Sequence, residues 1–282
     1  MQRSNVRTDL ASEVVQRPEN ASLAGLELNE ERICGCRVTA VKINGGEASK
    51  VLCKPIGNYL TLELDEYIRR RENSFSDAAN ALSQLMRRFA EIQNAQSFLV
   101  ACLGNRAITP DAVGPEVSDS LIVTRHLKQS LPQEFAALSS VAVLRTGVLG
   151  TTGIESAQSL KALCGLVQPD CVIAVDALAS GELDRLCRNV QICDSGIAPG
   201  SGVGNDRAEL NRESLGVPVI AVGVPTVIDA AAFCADESAA GLFVTPRNID
   251  ELVRSVSKLV AYGLNLALHP GLSIADVDML VE

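Results

Sequence analysis

An α/β fold, a mostly parallel twisted sheet with helices on both faces, is predicted for this 282-residue chain by three observations. Short apolar runs alternate with segments of helical spacing over most of its length, the signature of parallel βαβ units. Several of these runs, Phe98–Leu103 and Cys171–Val175 among them, are apolar throughout, as strands covered on both faces are. Aromatic residues make up only 3% of the chain and Trp is absent, so Ala, Val, Leu and Ile must fill the core.

The elements follow in order. From Arg32 to Glu63 the sequence is β-like, with Val38–Ile43 and Tyr59–Leu64 alternating around turns at Gly45-Gly46 and Pro55-Ile-Gly57. This part is expected to extend or cap the sheet. A helix is predicted from Ser76, its N-cap, with Ala79, Leu82, Leu85, Met86, Phe89 and Ile92 on one face. Strand Phe98–Leu103 leads through a polar loop to a helix over Glu116–Leu127. Strand Val141–Arg145 leads to a helix over Glu155–Val167. Strand Cys171–Asp176 precedes a short helix near Gly181–Cys187 and strand Val190–Cys193. Strand Val217–Val222 should hand over to a helix opened by Pro225–Phe233. The last helix spans Asn248–Leu268. No linker demands a second domain.

The net charge of −9 argues against a nucleic-acid-binding surface, which needs clustered Lys and Arg. No apolar stretch approaches the ~20 residues that span a bilayer, and the first residues lack the apolar core of a signal peptide. The nine cysteines sit mostly in apolar runs, which reads as core packing in a reducing compartment. Cys34-Gly-Cys36 has no second pair at zinc spacing. A cytoplasmic protein without membrane or nucleic-acid partners is expected.

Hydrolysis by a Ser-His-Asp or Cys-His site needs a histidine base, and His126 and His269 are the only histidines. Each reads more simply as a solvated or capping residue. The loop Gly196–Asn205 lacks the Gly-Lys-Ser/Thr ending of a phosphate loop. Its amides, at Gly200, Ser201 and Gly202, are candidates to hold a substrate backbone. Asp111 follows an apolar strand and Asp176 ends another. Strand C-terminal ends form the crevice of a parallel α/β sheet. Either acid alone is more often a cap or turn residue. Together they form a pair in which one keeps a proton while the other stays charged, able to activate water against a peptide carbonyl directly or through a divalent metal.

Around these residues the chain resembles the germination proteases of spore-forming bacteria. The resemblance runs almost end to end, through Val6–Ala11, Gly57–Glu63, Gly104–Pro115, Thr124–Leu127, Gly150–Glu155, Val172–Leu178, Gly200–Asn205 and Val222–Ala230. It implies catalytic acids at Asp111 and Asp176, classed in the family both as an aspartic pair and as metal-dependent. The Leu-Gly-Asn and Asp-x-x-Gly stretch is also similar to the hydrogenase maturation proteases, where acids at these two positions bind metal. The resemblance further implies a self-processing zymogen, a homotetramer, and small acid-soluble spore proteins as substrates, cut after the first acid of a Thr-Glu-Phe/Ile-Ala-Ser/Gly-Glu sequence. Thr8-Asp-Leu-Ala-Ser-Glu13 imitates that sequence, so residues 1–9 are expected to be a propeptide released by cleavage of Asp9–Leu10, with 10–282 the peptidase domain. The chain departs from the family at Ala198, where some relatives carry histidine, at Arg145-Thr-Gly147, and in being shorter. Two rival readings are a metal-dependent processing peptidase for another protein and an inactive scaffold that keeps the fold.

Overall fold

The computed structural model describes residues 8–20, 23–68, 71–204, 207–233 and 241–281. Among the described residues nine strands form one sheet: β1 Leu26–Ile33, β2 Cys36–Ile43, β3 Gly57–Glu63, β4 Ser97–Leu103, β5 Ser140–Gly147, β6 Cys171–Ser180, β7 Asn189–Cys193, β8 Val219–Asp229 and β9 Phe243–Val244. The order is β1-β2-β3-β7-β8-β6-β4-β5, with β9 on β8. β8, β6, β4 and β5 pair in parallel. β1, β2, β3 and β7 pair antiparallel, and β7 joins β8 antiparallel. The α/β class with helices on both faces is therefore as expected, but the sheet is mixed where a mostly parallel one was expected, because the β-rich N-terminal part extends it with antiparallel strands.

Alternation along each strand divides the core between the two faces. Phe98, Val100 and Cys102 of β4 and Ile173 and Val175 of β6 meet the helices Ser74–Met86, Val113–Ser118 and Ile249–Leu268. Leu99, Ala101 and Leu103, with Val172 and Ala174, pack on the helix Ser156–Val167 through Leu160 and Cys164. On that second face the antiparallel half is covered by Ala11, Val14 and Val15 of the N-terminal helix Ala11–Val15 and by Ala48 and Leu52.

Several elements differ from the sequence reading for identifiable reasons. The first hairpin turns at Cys34-Gly35, both at positive φ, between paired Ile33 and Cys36, the geometry of a two-residue primed turn. Its outer strand β1 is charged and largely exposed, as edge strands tend to be, which hid it. Gly46 opens a helix, Gly46–Leu52, where a turn was expected. The helix expected from Ser76 starts at Ser74, and Asn73 at its N-cap makes no side-chain capping bond. The helix expected over Glu116–Leu127 is two, Val113–Ser118 and Arg125–Ser130. Buried Asn265 explains the break, since its amide accepts from Ile122 N and donates to Ser120 O, replacing helical bonds. Gly181–Cys187 holds only a 3-10 turn, Leu183–Arg185. Pro225 lies inside β8 instead of opening a helix. It falls past the short β7 ladder at Ala221–Gly223, where Cys187 N bonds its carbonyl and no ladder bond needs its missing N–H.

Candidate active site

Asp111 is carried by the loop after β4, in the 3-10 turn Thr109–Asp111. Asn105 N donates to Asp111 O at 2.9 Å, closing the loop on itself. Two glycines allow this. Gly104 has φ +105, and a Cβ there would stand 2.1 Å from Asp111 O; one on Gly114 would stand 2.2 Å from Leu103 O. Thr226 Oγ1 donates to Pro110 O at 2.7 Å and ties the loop to β8.

Asp176 was expected to end its strand. β6 instead continues to Ser180, paired with β8 through Asp176↔Gly223 and beyond. The β4 ladder stops at Cys102↔Val175, so Asp176 is the first residue past the end of β4 and still faces the crevice. Gly223 pairs on its other side with Gln191 of β7. Gln191, Gly223 and Asp176 thus form one row across three strands. With strands about 4.8 Å apart, the outer two Cα atoms are roughly 10 Å from each other. Asp111 and Asp176 line one cleft of ≈ 420 Å³ together with Asp9, Gly200, Gly202 and Arg207.

The two acids are held unequally. Burial raises the Asp176 pKa well above the usual aspartate range, and the nearby Asp111 charge raises it further. Burial also raises Asp111, against a hydrogen bond from Asn105 and the attraction of Arg207. Asp176, 4% exposed, is the member that keeps its proton, and Asp111 the one that ionises first. Asp111 and Asp176 alone do not make a zinc or calcium site. Among the described residues no group of three His, Cys, Asp or Glu could hold an ion, fewer donors than zinc or calcium takes from a protein.

The N-terminal segment occupies this cleft. Asp9 N donates to Ala179 O at 2.9 Å, and Ala179 N returns a bond to Asp9 Oδ2 at 2.8 Å. Ser201 Oγ donates to Asp9 Oδ1 at 2.9 Å. Gly200, at φ 75, turns the loop that presents Ser201. Gly202 leaves room for the acid, since a Cβ there would stand 2.1 Å from Asp9 Oδ2. The loop therefore meets the Asp9 side chain, whereas its amides were expected to meet a backbone. The Asp9 carbonyl accepts from Lys54 Nζ and Gln191 Nε2, each at 3.0 Å. Leu10 is fully buried, worth roughly 1.5–3 kcal/mol of docking energy. Glu13 bonds Ser180 Oγ and accepts from Gly181 N at 2.7 Å, with Arg185 3.7 Å away.

Sequence reading missed Lys54, Gln191, Arg207 and the Ala179–Gly181 edge. A lone Lys before a turn and a Gln in a five-residue strand carry no signal of their own. His126 is exposed and His269 is buried against Ile122 O, both away from the cleft. Cys34 is exposed in its turn and Cys36 is buried.

The profile of a family described as germination protease matches residues 5–240. A germination protease of Caldanaerobacter subterraneus subsp. tengcongensis is 37% identical over 318 aligned residues, covering 98% of each chain. One from Clostridium perfringens is 36% identical, covering 99% of each. One from Bacillus cytotoxicus is 40% identical over 82% of this chain but only 65% of its own length. Among solved structures, the [NiFe] hydrogenase maturation protease HycI from Thermococcus kodakarensis aligns with a TM-score of 0.39 and 21% identity, over 64% of this chain and 98% of that one.

Proposed function

We propose that this chain, which belongs to the germination protease family and is a peptide hydrolase, degrades small acid-soluble spore proteins in the cytoplasm of the spore and first cuts itself at Asp9–Leu10. The observation that carries the reading is the docked Thr8–Glu13 segment. Its acid, Asp9, sits in a fitted recess of the same cleft as Asp111 and Asp176. Its second acid, Glu13, has its own recess at Ser180 and Gly181. A substrate carrying two acids at that spacing would satisfy the same groups. An inactive scaffold has no use for such a segment.

In this reading Asp111 is the base and takes a proton from the attacking water. Asp176 keeps its proton for the leaving Leu10 nitrogen. Ser201, Gly202 and the Ala179 amide hold the acid that precedes the cut, and Gly200 shapes their loop. Residues 1–9 form the propeptide, of which 1–7 lie outside the described residues, and residues 10–282 form the peptidase. The chain assembles as a homotetramer, which the mass in solution tests.

The deciding experiment is incubation of the purified full chain with its N-terminus read by mass spectrometry. A new terminus at Leu10, absent in Asp111→Asn and Asp176→Asn, is expected. Normal processing by either variant would overturn the assignment.

A further inference from the structure

We propose that Lys54 and Gln191 are catalytic residues, the oxyanion hole for the carbonyl that precedes the cut bond. The inference rests on the reading of Asp9–Leu10 as that bond, and it assigns a role to the neighbouring cleft that shares Asp9 with the acids' own.

Four observations converge on it. Lys54 Nζ donates to Asp9 O at 3.0 Å and to Thr8 O at 3.1 Å. Gln191 Nε2 donates to the same Asp9 O at 3.0 Å while its Oε1 accepts from Ala11 N at 2.7 Å. One buried amide thereby brackets Leu10 and fixes the plane of the scissile peptide. Lys54 itself is held in place by its own backbone, with Lys54 N bonded to Ser49 O and Ser49 Oγ donating to Lys54 O at 2.7 Å. Finally, Asp9 lines both the cleft of the two acids and a neighbouring cleft of ≈ 350 Å³ lined by Lys54 and Gln191. Asp9 is thus the residue that the two clefts share, with the acids in one and the donors in the other.

Lys54 forms no ion pair among the described residues; both its side-chain hydrogen bonds go to the segment's carbonyls. Burial lowers its pKa, opposed by the more distant Asp9, Cys193, Glu13 and Cys53. A desolvated ammonium without a bound counter-ion gains most when negative charge develops on the oxygen it touches. Water adds to the Asp9 carbonyl carbon and gives one proton to Asp111. The carbonyl π pair moves to oxygen, where Lys54 and Gln191 stabilise it. When that pair returns, the C–N bond breaks and the Leu10 nitrogen takes the Asp176 proton. One water is consumed, and the proton held by the acid pair ends on Asp111 instead of Asp176.

The test uses the full chain, in which the tethered segment makes self-cleavage a first-order reaction free of a binding step. Lys54→Met and Gln191→Leu should each slow formation of the Leu10 terminus by about 100-fold, the usual loss on removing one oxyanion donor. Amide hydrogen exchange across residues 8–20, the Ala11 amide of Gln191→Leu excepted, should stay as protected as in wild type, and Lys54→Arg should restore much of the rate. Wild-type rates in both variants would overturn the inference. So would slow cleavage with lost protection, because the pair would then only dock the segment. If Lys54→Met fails to fold, Gln191→Leu and Lys54→Arg carry the test. A wild-type chain that never yields a Leu10 terminus would instead sink the underlying reading, and does so without any variant.

Discussion

The parallel half of the sheet and the antiparallel half meet at β8 and bring different chemistry to two neighbouring clefts that share Asp9. The parallel half supplies the acids, Asp111 after β4 and Asp176 on β6. The antiparallel half supplies donors, Gln191 on β7 and Lys54 before β3. Gly223 on β8 is paired with both Gln191 and Asp176. A Cβ on Gly223 would stand 2.4 Å from the Leu178 side chain. The missing side chain at the seam leaves the space that Leu178 fills. On the proposed roles of these residues neither half would make a peptidase alone, and the ligand crevice of a parallel sheet would be completed by strands running the other way.

The sharpest way to break the division of labour is to disable the acid side. Asp111→Asn or Asp176→Asn should reduce self-cleavage by about 10²–10⁴-fold, read as the rate of appearance of the Leu10 terminus. Next comes the recess shared with the segment. Gly202→Ala places a methyl on the Asp9 carboxylate and 2.6 Å from the Ala179 Cβ. Processing should fall at least about 10-fold, as a misplaced reactive group typically costs, and hydrogen exchange across residues 8–20 should rise.

A subtler effect concerns pH. Both acids are raised by burial, Asp176 more strongly. Processing should therefore fail on the acid side as Asp111 takes up its proton, above the usual aspartate range, and on the alkaline side as Asp176 loses its own. A rate that stays flat from pH 4 to pH 9 would contradict the acid-base pairing.

The smallest expected effect is on stability, and it has the opposite sign to activity. An acid whose pKa is raised on folding binds its proton more tightly in the folded state, so stability falls as pH climbs above the unfolded value. Asn carries no such penalty and can still accept the Ala177 N–H now bonded to Asp176 Oδ1. Asp176→Asn should thus melt a few degrees above wild type at pH 8, with the gap closing toward pH 4. Equal melting temperatures at pH 8 would show that the buried acid costs nothing.

The two halves also differ in how much of them can be read from sequence. β4 and β6 are apolar on both faces, so their runs stand out, and the loop between Gly104 and Gly114 carries a long family pattern. The position of Asp176 could be read but not its setting, because Ala177–Ser180 lacks β-branched residues and gives no sign that β6 continues. Pro225 misled for a related reason, since it breaks helices and strands alike, and only the length of β7 makes its place in β8 tolerable. In the antiparallel half, charged β1 hides in its own solubility. Lys54 and Gln191 escape notice because their role depends on a segment over forty residues away in sequence from the nearer of them, and on strand order that no local pattern encodes.

The helix Ala11–Val15 begins one residue after the proposed cut, and Leu10 at its N-cap is still extended, with φ −81 and ψ 118. A bound chain must therefore change from extended to helical within a single residue at the point of scission. Selection would then act on shape before it acts on composition. A target locked as one continuous helix through these positions, by its own sequence or by a companion, would be invisible to the cleft however well its acids were spaced. Rigidifying a substrate peptide as a helix across the Thr8–Leu10 equivalents should protect it, while fraying that one turn should expose it. Accessibility to this enzyme would be a matter of timing, set by whatever frees the helix.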